Sequence, residues 1–479
     1  MEKVRLFQRI LLYILVITVP IQTAKHFTPS FTELAGRPLD YLMPVVYIGD
    51  ILIGLLFVTD ILIWQKQNIF TTMYTSIKKI VRGEISSVGR IEKMSAVFFV
   101  GFLLMSLISS LFSLNFGAAL VRWVRFAEMG ILIFWFVKRV DKADINLLLS
   151  LMSVSLIYEV PLVFYEWYSQ SSAGLTILGE WTRSPFSADV AKITFSGESY
   201  MRPYATFSHP NVLAGYLTLM ILIIGHLFVA KLQNIRQMSI NTINSKTRWL
   251  GVLCLGVALS ASLWALLLTF SRSAWIGLIL AFMVAVGVYI KHINLRMALG
   301  MVTGAFIVAT ILFTSVTDFK KTIADVIGER FASLQTTESF SFHERIEFIE
   351  RSINLARYHP LLGVGLNNFM TSQQEELHVI NLTDQPVHSI YFLLLAETGL
   401  VGLMLFGLGA IFLTIAVINK IHRAGPRFDD RSKGALYISL ITLVLCIGFL
   451  DHYFLTIPPA ILLLSMVLCH VYHWLYAQP

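Results

Sequence analysis

The chain has 479 residues, of which 56% are hydrophobic and 14% charged, with a formal net charge of +8. Soluble domains run about 45–50% apolar and about 25% charged, so this balance excludes an ordinary soluble protein and points to a polytopic membrane protein. The positive charge does not indicate a nucleic-acid partner, because it gathers in alternate loops between apolar stretches.

Crossing about 30 Å of hydrocarbon takes roughly 20 apolar residues. Windows of that length predict twelve spans, near 8–24, 41–64, 95–114, 116–137, 145–167, 209–230, 249–270, 272–290, 297–315, 388–418, 435–450 and 456–474. The first could pass for a signal peptide, but it lacks a small-x-small cleavage site and reads as a retained helix. Cys254, Cys446 and Cys469 all fall in spans and form no disulfide or metal pattern. The expected fold is an all-α integral membrane protein of about 12 helices, with a large, partly helical extracytoplasmic loop between helices 9 and 10. It divides into 1–200, 201–418 and 419–479: spans 1–5 with an outer loop, a core of spans 6–10, and the last two spans.

The Lys/Arg-rich loops set the orientation. They hold Lys3, Arg5 and Arg9, then Lys66 to Lys93, Lys138 to Lys142, Lys231 to Arg248, Lys291 and Arg296, and Lys420 to Lys433. These are expected in the cytoplasm, with both termini inside. Two long loops, about 168–208 and 316–387, then lie outside, where loops of such length are usually functional. In the second, Ser341-Phe342-His343-Glu344 reads as a capping box, and Ile346, Ile349, Ile353 and Ala356 as one apolar helix face. His359-Pro360 ends that helix, and Gly363-Val364-Gly365 reads as a flexible turn.

Even-numbered spans then begin at the outer face, and helix starts with free N–H groups are ready anion sites. The sixth opens at Ser208-His209-Pro210-Asn211, the eighth at Ser271-Arg272-Ser273, and the tenth at His388-Ser389; Arg202 lies just before the sixth. Arginine suits a phosphate or diphosphate, since its fork binds phosphate oxygens bidentately and keeps its charge. Arg272 would equally snorkel to the interface, and Arg202 alone would be an ordinary loop arginine. His388 is the candidate general base, an imidazole able to take a proton from a sugar hydroxyl. His209 and Asn211 could do no more than start a helix. Arg345 and Arg351 lie on the loop helix, where Glu347 four residues before Arg351 makes a surface pair. Arg122, Arg125, Glu128, Asp50 and Asp60, inside spans, are expected to pair with one another. Glu397, nine residues into the tenth span, reads as a bundle-stabilising carboxylate that could orient other polar groups. Metal-ligand spacing, Walker loops, nucleotide fingerprints and nucleophile elbows are not visible, so neither metal nor cofactor is expected.

Four stretches resemble a known family in order and topology. Arg202-Pro-Tyr-Ala-Thr-Phe-Ser-His-Pro-Asn-Val-Leu-Ala214, Thr269-Phe-Ser-Arg-Ser-Ala-Trp275, the loop from Arg345 to Phe369, and His388-Ser-Ile-Tyr-Phe-Leu-Leu-Leu-Ala-Glu-Thr-Gly-Leu-Val-Gly402 are similar to the core of the O-antigen ligase and polymerase family. The resemblance covers about Arg202 to Gly402. It implies a metal-independent, inverting glycosyltransferase of the bacterial inner membrane, acting on its periplasmic or extracytoplasmic face. The donor would be a glycan on undecaprenyl diphosphate, and the acceptor a glycan or glycolipid such as the lipid A core. By resemblance Arg202 and Arg272 hold the diphosphate and His388 activates the acceptor. Arg351 and Gly363 only approximate the spaced Arg…Gly motif of the polymerases, which leans the reading towards ligase, with polymerase as the alternative. A lipid-linked oligosaccharide transporter also needs many spans and a cationic cavity, but transporters place their polar site at the midplane.

Overall fold

The computed structural model describes residues 2–64, 89–187, 190–195, 198–237, 245–289, 338–379, 385–424 and 428–476. Its long helices follow the apolar windows. They are α1 (Glu2–Thr18), α2 (Ile48–Trp64), α3 (Arg90–Leu111), α4 (Phe116–Arg139), α5 (Ile145–Val154), α6 (Leu156–Ser169), α7 (Pro210–Gln237), α8 (Ser245–Leu268) and α9 (Arg272–Tyr289). After them come α10 (Glu338–Tyr358), α11 (Phe369–Glu375), α12 (Ile390–Arg423), α13 (Phe428–Leu450), α14 (Tyr453–Thr456) and α15 (Pro458–Tyr476). Among the described residues, seven helical stretches are long and apolar enough to cross a membrane, and Arg272–Val288 is a shorter apolar helix. Their outward faces carry exposed Leu104, Ile279, Met283, Met404 and Ile411. Such a surface suits lipid, which has no claim on hydrogen bonds. The ninth expected span, 297–315, lies outside the described residues.

Several boundaries differ from the sequence reading. The first helix stops at Thr18, ahead of Pro20, and the second starts at Ile48, so the segment between them is longer than expected. It folds into two small antiparallel sheets, β1 (Ala24–His26) with β4 (Val45–Tyr47) and β2 (Glu33–Leu34) with β3 (Arg37–Pro38). A third pairs β5 (Lys192–Phe195) with β6 (Glu198–Met201), in register Lys192↔Met201. The all-α expectation therefore holds for the spans and not for the connecting loops. The fifth span is broken at Ser155, whose hydroxyl bonds the carbonyl of Met152.

The large loop packs onto the bundle. Helix α10 is already helical at Glu338, so Ser341 lies within it and not at its start. Its buried stripe is Phe348, Ser352, Leu355 and Ala356, so the face is rotated from the predicted one: Ile346 is 40% exposed and Ile349 and Ile353 half-buried. Phe348 and Leu355 join Leu34, Leu42, Phe369, Leu393 and Ala396 in a second core, separate from the main one. Gly363-Val364-Gly365 is a latch where a flexible turn was expected. Helix α12 breaks at Gly399 (φ 64°, ψ −172°), freeing carbonyls that the loop captures. Val364 N–H donates to Ala396 O, Gly365 N–H to Glu397 O, and Leu400 N–H to Pro360 O, all at 2.9 Å. Ser109 of α3 adds its hydroxyl to the carbonyls of Leu362 (2.6 Å) and Glu397 (2.9 Å). Gly363 (φ +68°) must be glycine, since a Cβ there would stand 2.4 Å from the Glu397 carbonyl carbon.

Candidate active site

The site is assembled where helices end. His209 starts α7: its carbonyl accepts from Val212 and Leu213, and its ring Nδ1 accepts from Asn211 N–H at 3.0 Å. Burial, followed by the charge of Arg202, pushes the His209 ring down to about 3, so it stays neutral and acts as a cap. Asn211 is the connector. Its Oδ1 accepts from Arg202 Nη2 at 2.8 Å, and its Nδ2 donates to Asp451 Oδ2 at 3.0 Å. Since guanidinium only donates and carboxylate only accepts, the amide orientation is forced.

Arg202 leaves the end of β6 and donates through Nε to Thr269 O at 2.7 Å. That carbonyl belongs to the turn after α8, which reverses through Phe270 in a left-handed conformation (φ 54°) and leads into α9 at Arg272. The two arginines named from the sequence are thus tied to one turn. The Arg202 loop is held from below by two buried carboxylates of α6. Glu166 accepts from Tyr204 N–H (2.6 Å) and Ala205 N–H (2.8 Å), and Glu159 accepts from the Thr206 hydroxyl. Arg183 stacks 4.0 Å over the Tyr204 ring, which meets His209 edge-on.

His388 precedes α12, and its Nδ1 lies 3.7 Å from Asp451 Oδ1. Its ring packs on His452 with centroids 5.3 Å apart. Asp451 and His452 form the turn between α13 and α14, where the Asp451 Oδ1 accepts from His452 N–H at 2.9 Å. Arg345 of α10 donates to the Leu450 carbonyl at 3.3 Å, bringing a positive charge to the same turn. Burial works to raise the Asp451 carboxyl, but His388, His452 and Arg345 outweigh it and hold the group below the usual carboxylate range. Burial pushes His452 down to about 3 against the pull of Asp451, and its Nδ1 shares a 2.6 Å hydrogen bond with Thr456 Oγ1.

The Asp451 carboxylate stands beside His388 Nδ1 at 3.7 Å, an ion-pair separation with no hydrogen bond between them. A carboxylate in that position is the orienting partner of nucleophile–base–acid constellations, whose contacts tighten when substrate is bound. His388, Asp451 and His452 also place three potential metal ligands within 4.8 Å of one another. Both Asp451 oxygens, however, are engaged by N–H donors, and Arg202 and Arg345 surround the cluster with positive charge. That environment suits an anionic ligand better than a metal cation.

Of the sequence candidates, Arg202, His209, Asn211, His388 and Arg345 converge on Asp451 and its turn, and Arg272 joins through the Thr269 turn. Arg351 does not converge: it donates to Gln373 Oε1 at 2.9 Å, pairs with Glu347, and lies over the Phe348 ring. Glu397 sits at the α12 break and accepts from Phe369 N–H at 3.4 Å, a supporting position. The expected pairing of span charges holds for Arg125 with Asp50 and Glu128; Asp60 pairs instead with Arg139, outside the expected set. Arg122 departs from it, binding carbonyls instead. Asp451, His452, Arg183, Glu159 and Glu166 were not anticipated. The signal for the first two was present, since Asp451-His452 is an adjacent polar pair in the short turn between the last two apolar windows.

The comparison with known families bears on this constellation. Residues 255–407 match the O-antigen ligase family. The matched segment contains Arg272, Arg345 and His388, and runs from within α8 to within α12. Arg202, Asn211 and the Asp451-His452 turn lie outside it and reach it through the hydrogen bonds above. Among curated proteins nothing matches the chain. The match agrees with the resemblance read from the four motifs, and supports a membrane protein of ligase or polymerase type, of the glycosyltransferase kind.

Proposed function

We propose that the protein moves a glycan from undecaprenyl diphosphate to an acceptor hydroxyl at the extracytoplasmic face of the bacterial inner membrane. The observation that carries this reading is the hydrogen-bonded run Arg202–Asn211–Asp451, whose carboxylate stands 3.7 Å from His388 Nδ1 and so brings a phosphate-suited arginine and an imidazole to one group. Arg202 and Arg272 receive the diphosphate. His388 Nε2 takes the proton of the acceptor hydroxyl as its oxygen attacks the anomeric carbon. The carbon–oxygen bond to phosphate breaks, the lipid diphosphate leaves with the bonding pair, and the anomeric centre inverts. Asp451 stabilises the imidazolium so formed. The acceptor is a lipid A core or similar glycolipid in the ligase reading, or a growing glycan chain in the polymerase reading. Arg351 and Gly363, the residues nearest a polymerase motif, have contacts within the loop fold, which favours the ligase.

The test is transfer from a defined undecaprenyl-diphosphate glycan by purified protein, with chelator present. His388→Ala should abolish transfer, a loss of about 100- to 10,000-fold for a missing general base, while donor binding persists. Turnover within a fewfold of wild type would reduce His388 to a helix-start residue. Orientation is tested separately: a cysteine at exposed His343 should label from the extracytoplasmic side, and labelling from the cytoplasm alone would overturn the topology.

A further inference from the structure

We propose that Arg122 is a positioning residue for the His388–Asp451–His452 cluster, clamping the turn that carries the cluster to the loop beside it. The inference rests on the site reading above. Arg122 lies seven residues into α4, is 6% exposed, and uses its whole fork on the outer end of the bundle. Nη1 donates to Leu455 O at 2.8 Å and to Thr456 O; Nη2 donates to Asn367 Oδ1 at 3.1 Å. Those carbonyls close α14, a single turn whose start is His452. Thr456, held by its carbonyl, also holds the ring of His452 through Oγ1. His452 in turn packs its ring, tilted by 45°, against that of His388 and donates its N–H to Asp451.

The clamp has a second arm. Asn367, itself in a left-handed conformation (φ 57°), donates through Nδ2 to Tyr41 O at 2.9 Å, and the Tyr41 ring meets His452 edge-on at 5.7 Å. Tyr41, Arg122, Asn367, Glu397 and Thr456 line one small cavity. His452 is therefore gripped from two sides by groups that both end on one guanidinium. Arg125, three residues further along the same helix, pairs with Asp50 and Glu128 and has no such route to the site. The role needs arginine: two carbonyls of consecutive residues and an amide oxygen from another element must be met by one planar, permanently charged fork, which an ammonium cannot span.

The test uses the full chain in detergent, comparing Arg122→Lys with Arg125→Lys. Donor affinity for the undecaprenyl-diphosphate glycan, kcat, acceptor KM, the pH profile of kcat and melting temperature are measured for each. Arg122→Lys should lower kcat by tenfold or more and alter the pH profile, with donor affinity within about twofold of wild type. Arg125→Lys should lower the melting temperature without altering the pH profile. If Arg122→Lys fails to fold, Asn367→Ala opens the second arm alone and should lower kcat severalfold in the same way. Unchanged kcat and pH profile in the folded variant overturns the inference. A parallel His388→Ala variant separates the two ideas: its retaining activity sinks the site reading, whereas its inactivity beside a normal Arg122→Lys sinks only the positioning role.

Discussion

Replacing Asp451 with Asn isolates the electrostatic half of the proposed base. The amide keeps the shape of the carboxylate but removes its charge 3.7 Å from His388 Nδ1. A unit charge pair at that separation and an effective dielectric near 20 is worth on the order of 4 kcal/mol. His388 retains partial contact with solvent, its side chain being 22% exposed against 5% for Asp451, which reduces the figure to about 2–3 kcal/mol. That attraction acts only once the imidazole has taken the acceptor proton, so its loss should appear in kcat as a fall of about 30- to 150-fold. The substitution also costs stability. Asp451 accepts from both His452 N–H and Asn211 Nδ2, and an amide can serve only one of them. The orphaned donor should cost about 1–3 kcal/mol. The assay is single-turnover transfer from a radiolabelled undecaprenyl-diphosphate glycan under donor saturation, with donor affinity and thermal unfolding recorded on the same preparation. A folded Asp451→Asn protein that transfers within threefold of wild type would refute the reasoning, because the imidazole would then be working without its carboxylate.

Arg272→Ala should weaken donor affinity by about 1.5–3 kcal/mol, as for a lost charge-assisted contact, and Arg272→Lys should restore it only in part; wild-type affinity in an equilibrium binding titration would remove the diphosphate assignment. Arg202→Ala should lose donor affinity to a similar degree and stability as well, because it also strips the donors from Thr269 O and Asn211 Oδ1. Gly363→Ala should destabilise by on the order of 2–4 kcal/mol, combining a left-handed backbone with overpacking, since the new Cβ would press on the backbone of Glu397, Thr398 and Gly399; an unchanged denaturation midpoint would mean the latch yields freely. Stability should fall on acidification. His209 and His452 are both held down to about 3, so below about pH 6.5 the unfolded chain binds protons that the folded chain refuses. The limiting contribution is about 1.4 kcal/mol per pH unit for each ring, so His452→Gln should lessen the loss of stability between pH 6 and 4 by up to that amount per unit in thermal unfolding.

The spans were legible because hydrocarbon thickness imposes a length on apolar runs, and the helix starts because Ser-His-Pro-Asn and Ser-Arg-Ser carry their own cues. What was not legible depended on partners far along the chain. Arg122 and Arg125 look alike in sequence, three residues apart on one helix. One finds Asp50, while the other finds carbonyls 333 residues away and an amide 245 residues away. The break at Gly399 hid inside an apolar run, although that run, 388–418, was already longer than a single crossing needs. The loop helix showed its period but not its face, because Phe348 and Leu355 are buried by a core to which Leu34, Leu39 and Leu42, over 300 residues earlier, and Phe369, Leu393 and Ala396 all contribute. Asp451-His452 carries no helix-start cue, because the pair follows a helix end, whereas anion sites are expected at helix starts.

That last position exposes the logic of the site. A helix that stops at the edge of a membrane leaves its final carbonyls without partners and with the negative end of its dipole unopposed. Three arginines answer this on the same end of the bundle: Arg202 at Thr269 after α8, Arg345 at Leu450 closing α13, and Arg122 at Leu455 and Thr456 closing α14. Each arrives from a different element, so satisfying the backbone and fixing the tertiary arrangement are one act. The charges that cap the helices are also the charges that surround Asp451 and His388. On the proposed reading, an anionic substrate would meet guanidinium groups whose rotamers are already set by carbonyls, and would lose little entropy in ordering them. On the same reading the proposed base, His388, need not lie on a separate domain: in a chain made almost entirely of apolar spans, the helix ends are where polar chemistry can be both required by the fold and available to a ligand.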